Sequence, residues 1–345
     1  MNNTIPRGHT SNGDFFMYKL SKVSFFIFTF FYNYLWLRIL LVRYLYNDFK
    51  ESGWLILLII IVIISFILII LPKKILNFNY LHFLDIMPIK VIYTLLNILE
   101  VGMLIGFGVN VLSKEFIIES NPFIMILVVS ICIMLIGKLK HFEIINLSTL
   151  FYLFGVVLIV FSLFFVTNIN KEVYDLFIVN NSNFLSAILL GLIIVINNFK
   201  IILNKEGLYF KKNVFIIAVI FSLLFLLIEY GLLIIRAGGI LFKDINHVGF
   251  LCLSFMPVTR YLGDFNFIYI YLIIISLVFK SGFDITHIPK GVKYYACCFL
   301  IFVIGLFLHM RNYFINYLGF IVLVLEAVFI ILLIVSELIV RKYKK

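Results

Sequence analysis

Charge is what this sequence has least of. Asp, Glu, Lys and Arg together make up 13% of its 345 residues, against about 25% in a typical soluble domain. Alanine occurs only five times, proline six times and tryptophan twice. The four cysteines, Cys132, Cys252, Cys297 and Cys298, form neither a C-x-x-C pair nor a metal-spaced set, so they read as small apolar residues. None of the six histidines pairs with another His or Cys at ligand spacing, and no glycine-rich phosphate loop follows a strand-like run. Each loop histidine reads as a solvated residue. No enzyme chemistry, metal or cofactor is therefore expected.

Apolar residues fill the space that charge leaves. They amount to 64% of the chain, with a mean hydropathy of +1.16. Water could not cover so apolar a surface, but lipid can, so the bilayer is the first partner expected. The abundance of Phe, Tyr, Ile, Asn and Lys matches A/T-rich codons and points to an A/T-rich bacterial genome. A net charge of +11 raises the question of nucleic acid. The basic residues sit in short loops between apolar runs, which argues against it. The first apolar run begins near Val23 after a polar stretch, with no small-residue cleavage site behind it, so a cleavable signal is not expected.

A membrane-spanning helix needs about 20 apolar residues. Ten segments qualify, near 19–42, 54–71, 88–112, 123–139, 145–167, 184–203, 214–235, 266–283, 292–310 and 314–340. They imply an all-α integral membrane bundle over 19–340, between a tail at 1–18 and a basic tail at 341–345. A further stretch, 245–258, is short and interrupted, and reads as a surface or re-entrant helix. Asn121–Pro122 is a capping side chain before a first-turn proline. Trp54 opens segment two at the interface, and Pro72 with Lys73 and Lys74 closes it.

With the N-terminus inside, nineteen Lys and Arg fall in cytoplasmic regions, Lys200 and Lys280 among them, and eight fall in outer loops. That asymmetry places both termini in the cytoplasm.

Charge inside a membrane costs at least about 2.5–3.5 kcal/mol per residue at the helix centre, so each instance needs a reason. Glu100 lies mid-span in segment three, with Asn97 and Thr94 at spacings of three that keep all of them on one face. They would line a polar cavity, or else Glu100 is a protonated packing residue. Ser222, Glu229 and Arg236 form a stripe on segment seven, leading inward from the outer surface, or else Glu229 makes an interhelical hydrogen bond. Glu326 has no polar neighbour on its own face and reads as packing. Glu337 and Arg38 lie near helix ends, where they can snorkel, although Arg38 is also placed to pair with Glu100. Gly102, Gly106 and Gly108 permit close helix approach on segment three. Gly191 and Asn197–Asn198 mark segment six either as a discontinuous helix that binds a ligand or as an uninterrupted one with a loose end.

Several stretches resemble the B subunits of spore germinant receptors, permease-like proteins related to the amino acid–polyamine–organocation transporters. KLSKVSFF (19–26) is similar to the family's basic entry to helix one, and GWLILLI (53–59) to its aromatic entry to helix two. LSKEFIIESNP (112–122) stands where the family has a polar loop ending in Thr-Pro. The region 229–264 resembles the family's helix-seven exit, extracellular proline helix and Arg-acid entry to helix eight. FKSG (279–282) matches the lysine and serine at the end of that helix. Arg260 and Asp264 stand further apart than the family's pair, and segment one contains neither Gly nor Pro, offering only Asn33 where related transporters break.

The resemblance implies a transporter-like bundle of two inverted five-helix repeats. It also implies a sensor of an amino acid-like nutrient in the spore inner membrane, working with a large soluble-domain subunit and a lipoprotein. A secondary amino-acid transporter is the alternative. Asn33, Thr94, Asn97, Glu100, Gly191, Ser222 and Glu229 are the candidate ligand-binding residues.

Overall fold

The structure, a computed structural model, describes residues 21–37, 41, 45, 49, 52–70, 86–115, 121–164, 184–203, 212–237, 266–310 and 312–343. The tail at 1–18, Arg38, the stretch 245–258 and the Arg260–Asp264 pair lie outside these residues, as do the side chains of Arg236 and Glu337.

Among the described residues the chain is entirely helical. The helices are α1 (Lys22–Trp36), α2 (Gly53–Ile70), α3 (Met87–Glu115), α4 (Pro122–Ile136) and α5 (His141–Phe164). There follow α6 (Phe184–Asn197), the four-residue α7 (Lys200–Leu203), α8 (Lys212–Ala237), α9 (Asn266–Asp284), α10 (Val292–Met310) and α11 (Asn312–Tyr343). Each apolar segment of the sequence falls on a helix, and segment six is divided between α6 and α7. Among the described residues three stretches are long and apolar enough to cross a membrane by length and composition: Met87–Asn110, Asn213–Gly231 and Val292–Met310.

Local chemistry sets several of these ends. Ser21 caps α1 by accepting the Ser24 N–H at 2.9 Å. Asn121 caps α4 through its side chain, which accepts the Phe123 N–H at 3.0 Å, and Pro122 occupies the first turn, where no amide is needed. Glu143 reaches back to the Lys140 N–H at 2.8 Å at the start of α5.

The pattern of burial separates inside from outside. Leu150 and Val157 of α5, Phe66 of α2, Phe299 of α10 and Leu332 of α11 all point outward and are exposed. A monomer in water rarely shows apolar area on this scale. The described residues are those of an all-helical membrane protein.

Inside, α1 and α3 are the two hubs. α1 lies against α8, α5 and α9, while α3 lies against α10, α11, α9 and α4. Aromatic rings make much of the first contact: Phe30 meets Phe225 edge-on at 5.7 Å, and Phe31 stacks on Tyr152 at 4.3 Å. Glycine makes the second. A Cβ at Gly106 would stand 2.9 Å from the Gly305 carbonyl oxygen of α10, and one at Gly102 would stand 2.5 Å from Ile304. The glycines of segment three thus join two helices of the same chain.

Two basic residues correct the charge count. Lys200 and Lys280 are not in cytoplasmic loops; both are buried within helices, 1% exposed. Without them, the count expected from the sequence is seventeen basic residues on the cytoplasmic side against eight on the outer side.

Candidate functional site

Glu100 stands at the middle of the Met87–Asn110 stretch of α3 and has no exposed surface. Four more charged side chains surround it, each no more than 1% exposed. Lys200 of α7 donates to Glu100 and, at 2.6 Å, to Glu326 Oε1 of α11. Lys280 of α9 lies 3.3 Å from Glu100 Oε1 and 3.3 Å from Asp284 Oδ2. The hydroxyl of Tyr32, from α1, donates to Asp284 Oδ1. Its ring lies under the Lys280 ammonium, 3.7 Å from nitrogen to centroid.

Each member has a local reason to be there. Lys280 and Asp284 are four residues apart on α9, which puts them on one face. Lys200 follows a turn in which the Phe199 N–H bonds Ile196 O at 3.0 Å and the Ile201 N–H bonds Asn198 O at 3.3 Å. These three-residue steps tighten the backbone between α6 and α7. Just before the turn, Asn197 donates its amide to Leu323 O of α11 at 3.0 Å, fixing α6 beside the helix that carries Glu326.

A neutral polar layer lies next to the charges. Asn97 Nδ2 is 3.4 Å and Thr94 Oγ1 3.5 Å from His287 Nε2, in the turn after α9. The Tyr93 ring lies 4.7 Å from that imidazole and stacks on Phe329 at 5.9 Å. Thr94, Asn97 and Glu100 therefore share one face of α3, as their spacing implies, and that face meets the end of α9. Burial pushes the His287 imidazole down to about 3, and Lys200 adds to the effect while the Asp284 backbone opposes it. A solvated reading also fails for His141, which is buried, 2.6 Å from Thr286 Oγ1 and edge-on to Phe283 at 4.9 Å.

The other candidates lie elsewhere. Asn33 is buried and turns its amide back to Thr29 O of the same helix at 2.7 Å. At Gly191 a Cβ would meet Ile60 of α2 at 2.5 Å, so this glycine serves the α2–α6 approach. Ser222 is buried and donates to Val219 O at 2.7 Å. Glu229 accepts the Tyr34 hydroxyl at 2.5 Å, an interhelical bond between α8 and α1. Glu229 therefore belongs to the α1–α8 seam and Ser222 bonds within its own helix, so neither joins the charge cluster.

Sequence reasoning missed Lys200, Lys280 and Asp284, and it placed Glu326 in packing. Each lysine lies close to a segment end, where a basic residue normally marks the membrane face. The apolar run Ile201–Leu203 beyond Lys200 and the four-residue spacing of Lys280 and Asp284 were the available signals. Glu326 lacks polar neighbours on its own helix, and its partner comes from another.

Three buried carboxylates thus face two buried ammonium groups. Desolvating five charges is costly, and the arrangement holds because the bridging lysines satisfy several oxygens at once. Among the described residues no group of three or more His, Cys, Asp or Glu is placed to hold a metal ion. No protein-family model matches the sequence, and no curated protein matches it significantly.

Proposed function

We propose that this chain is the permease-like membrane subunit of a nutrient germinant receptor. It senses a small amino acid-like molecule in the spore inner membrane, alongside a large soluble-domain subunit and a lipoprotein. It crosses the membrane ten times as two inverted five-helix repeats, with both termini in the cytoplasm. The observation that carries this reading is the enclosed polar face of α3. Thr94, Asn97 and Glu100 are covered by His287, Lys200 and Lys280 inside a largely apolar bundle. A zwitterionic ligand is recognised by paired charges of both signs, and this face presents both. The similarity of 19–26, 53–59, 112–122 and 279–282 to receptor B subunits supplies the biological context.

Sensing needs only that a ligand bind one of two conformations better than the other. Side chains on intact helices suffice for that, and α1 runs unbroken from Lys22 to Trp36. Deleting the gene should leave vegetative amino-acid uptake unchanged and abolish or slow germination with one class of nutrient. The purified chain in proteoliposomes should bind that nutrient without accumulating it.

A secondary amino-acid transporter is the second reading, and the turn at Asn198–Phe199 between α6 and α7 favours it. Transporters commonly build their midplane sites on discontinuous helices. Gradient-driven accumulation of an amino acid by the chain alone would decide for this alternative.

A further inference from the structure

The cluster has an odd number of charges, and its hydrogen bonds show where the imbalance falls. Glu100 receives an ammonium on each oxygen, Lys200 on Oε2 and Lys280 on Oε1. Asp284 is likewise engaged on both oxygens, by Tyr32 on Oδ1 and Lys280 on Oδ2. Glu326 is engaged on Oε1 alone. Its Oε2 is buried and has no hydrogen-bond partner, although the carboxyl belongs to the same network. A buried carboxylate oxygen without a donor carries the full cost of desolvation.

We propose that Glu326 Oε2 is a proton-binding site, so that the cluster holds two carboxylates, two ammonium groups and one neutral carboxylic acid. Protonation removes the charge from the oxygen that no donor reaches, and the cluster is electrically neutral. The groups facing Glu326 are Glu100 and Tyr93 from α3, Lys200 from α7 and Lys280 from α9. A metal cation fits less well than a proton. It would have to enter a space where two ammonium nitrogens already bridge the carboxylates, whereas a proton takes no room. The inference rests on the cluster's geometry and holds for a sensor or a transporter alike. In either, any rearrangement that withdraws Lys200 from α11 changes the affinity of Glu326 for its proton, so the conformational change and the proton are linked.

Infrared difference spectroscopy of the purified full chain in lipid nanodiscs tests this directly. At neutral pH the wild-type protein should show the carbonyl stretch of a protonated, buried carboxylic acid. Glu326→Gln should remove that band and keep the fold, because the amide mimics the neutral acid in shape and charge. Glu143→Gln, at the half-buried start of α5 and outside the cluster, should retain the band. Absence of the band from the wild type, its persistence in Glu326→Gln, or unfolding of Glu326→Gln would each overturn the proposal. In parallel, melting temperatures in sodium, potassium and choline chloride at equal ionic strength should coincide. A rise specific to sodium or potassium that Glu326→Gln abolishes would assign the site to a metal cation instead.

Discussion

Lys200 and Glu100, one hundred residues apart in sequence, are hydrogen-bonded to each other with essentially no exposed surface. Removing one partner of such a pair strands the other, at a cost of about 3–5 kcal/mol. Glu100→Gln and Lys200→Met should therefore each lower the melting temperature sharply in detergent or nanodiscs. Combining them leaves the Lys280–Asp284 pair intact and removes the stranded charge. The double variant should be more stable than the sum of the singles predicts, by about 0.5–3 kcal/mol of coupling. Strict additivity would show that the two groups do not interact.

Gly106 tests the contact between α3 and α10. Its missing Cβ faces a backbone oxygen, which cannot rotate away as a side chain could. Gly106→Ala should destabilise the protein by about 1–3 kcal/mol, the usual cost of overpacking. Gly231→Ala on α8, where nothing lies within 4 Å of the new methyl, should be neutral or slightly stabilising. The pair of melting curves separates close packing from a general intolerance of substitution.

His287 gives a pH dependence whose sign follows from its burial. Its imidazole titrates at about 3 in the folded protein, below the ordinary 6.5 of the unfolded chain. Between these values the unfolded state binds more protons, so stability rises with pH there. The contribution is complete above about 6.5 and is lost progressively as pH falls toward 3. His287→Gln should flatten the melting temperature between pH 6 and pH 4 relative to the parent. An unchanged slope would show that other groups govern acid stability.

The ten-span arrangement is tested by reporter fusions along the chain. Fusions after residues 78, 140, 206, 288 and 345 should report a cytoplasmic location, and those after 118, 175 and 245 an external one. A consistent external signal after residue 206 would remove the crossing formed by α6 and α7.

Much of the fold was legible because lipid imposes one simple requirement, a long apolar run, and each of the ten runs falls on a helix. The Asn121–Pro122 start of α4 was equally legible, since capping is local chemistry. The face shared by Thr94, Asn97 and Glu100 follows from helical spacing alone. What covers that face does not, because Lys200, Lys280, Asp284 and Glu326 come from three other helices, and no local pattern joins them. Position misled as well. A lysine three residues from a helix end looks the same in sequence whether it reaches out to phosphate or in to a carboxylate. Gly191 shows the converse: its small size was legible, but the helix it approaches was not.

The apolar outer wall, with Leu150, Val157, Phe66 and Phe299 turned outward, is set by polarity rather than by shape. Lipid chains conform to whatever side chain meets them, so Ile, Leu, Val and Phe are nearly interchangeable at such positions. The five buried ionisable groups have no such freedom, because each is fixed by the groups it touches. Most of this sequence is therefore free to drift with codon usage while a few letters are held. Two chains built on this plan could differ along nearly every outward face and still share a signature. It would consist of a Glu in the third apolar run, a Lys closing the sixth, a Lys and an acid one turn apart closing the eighth, and a Glu midway through the last.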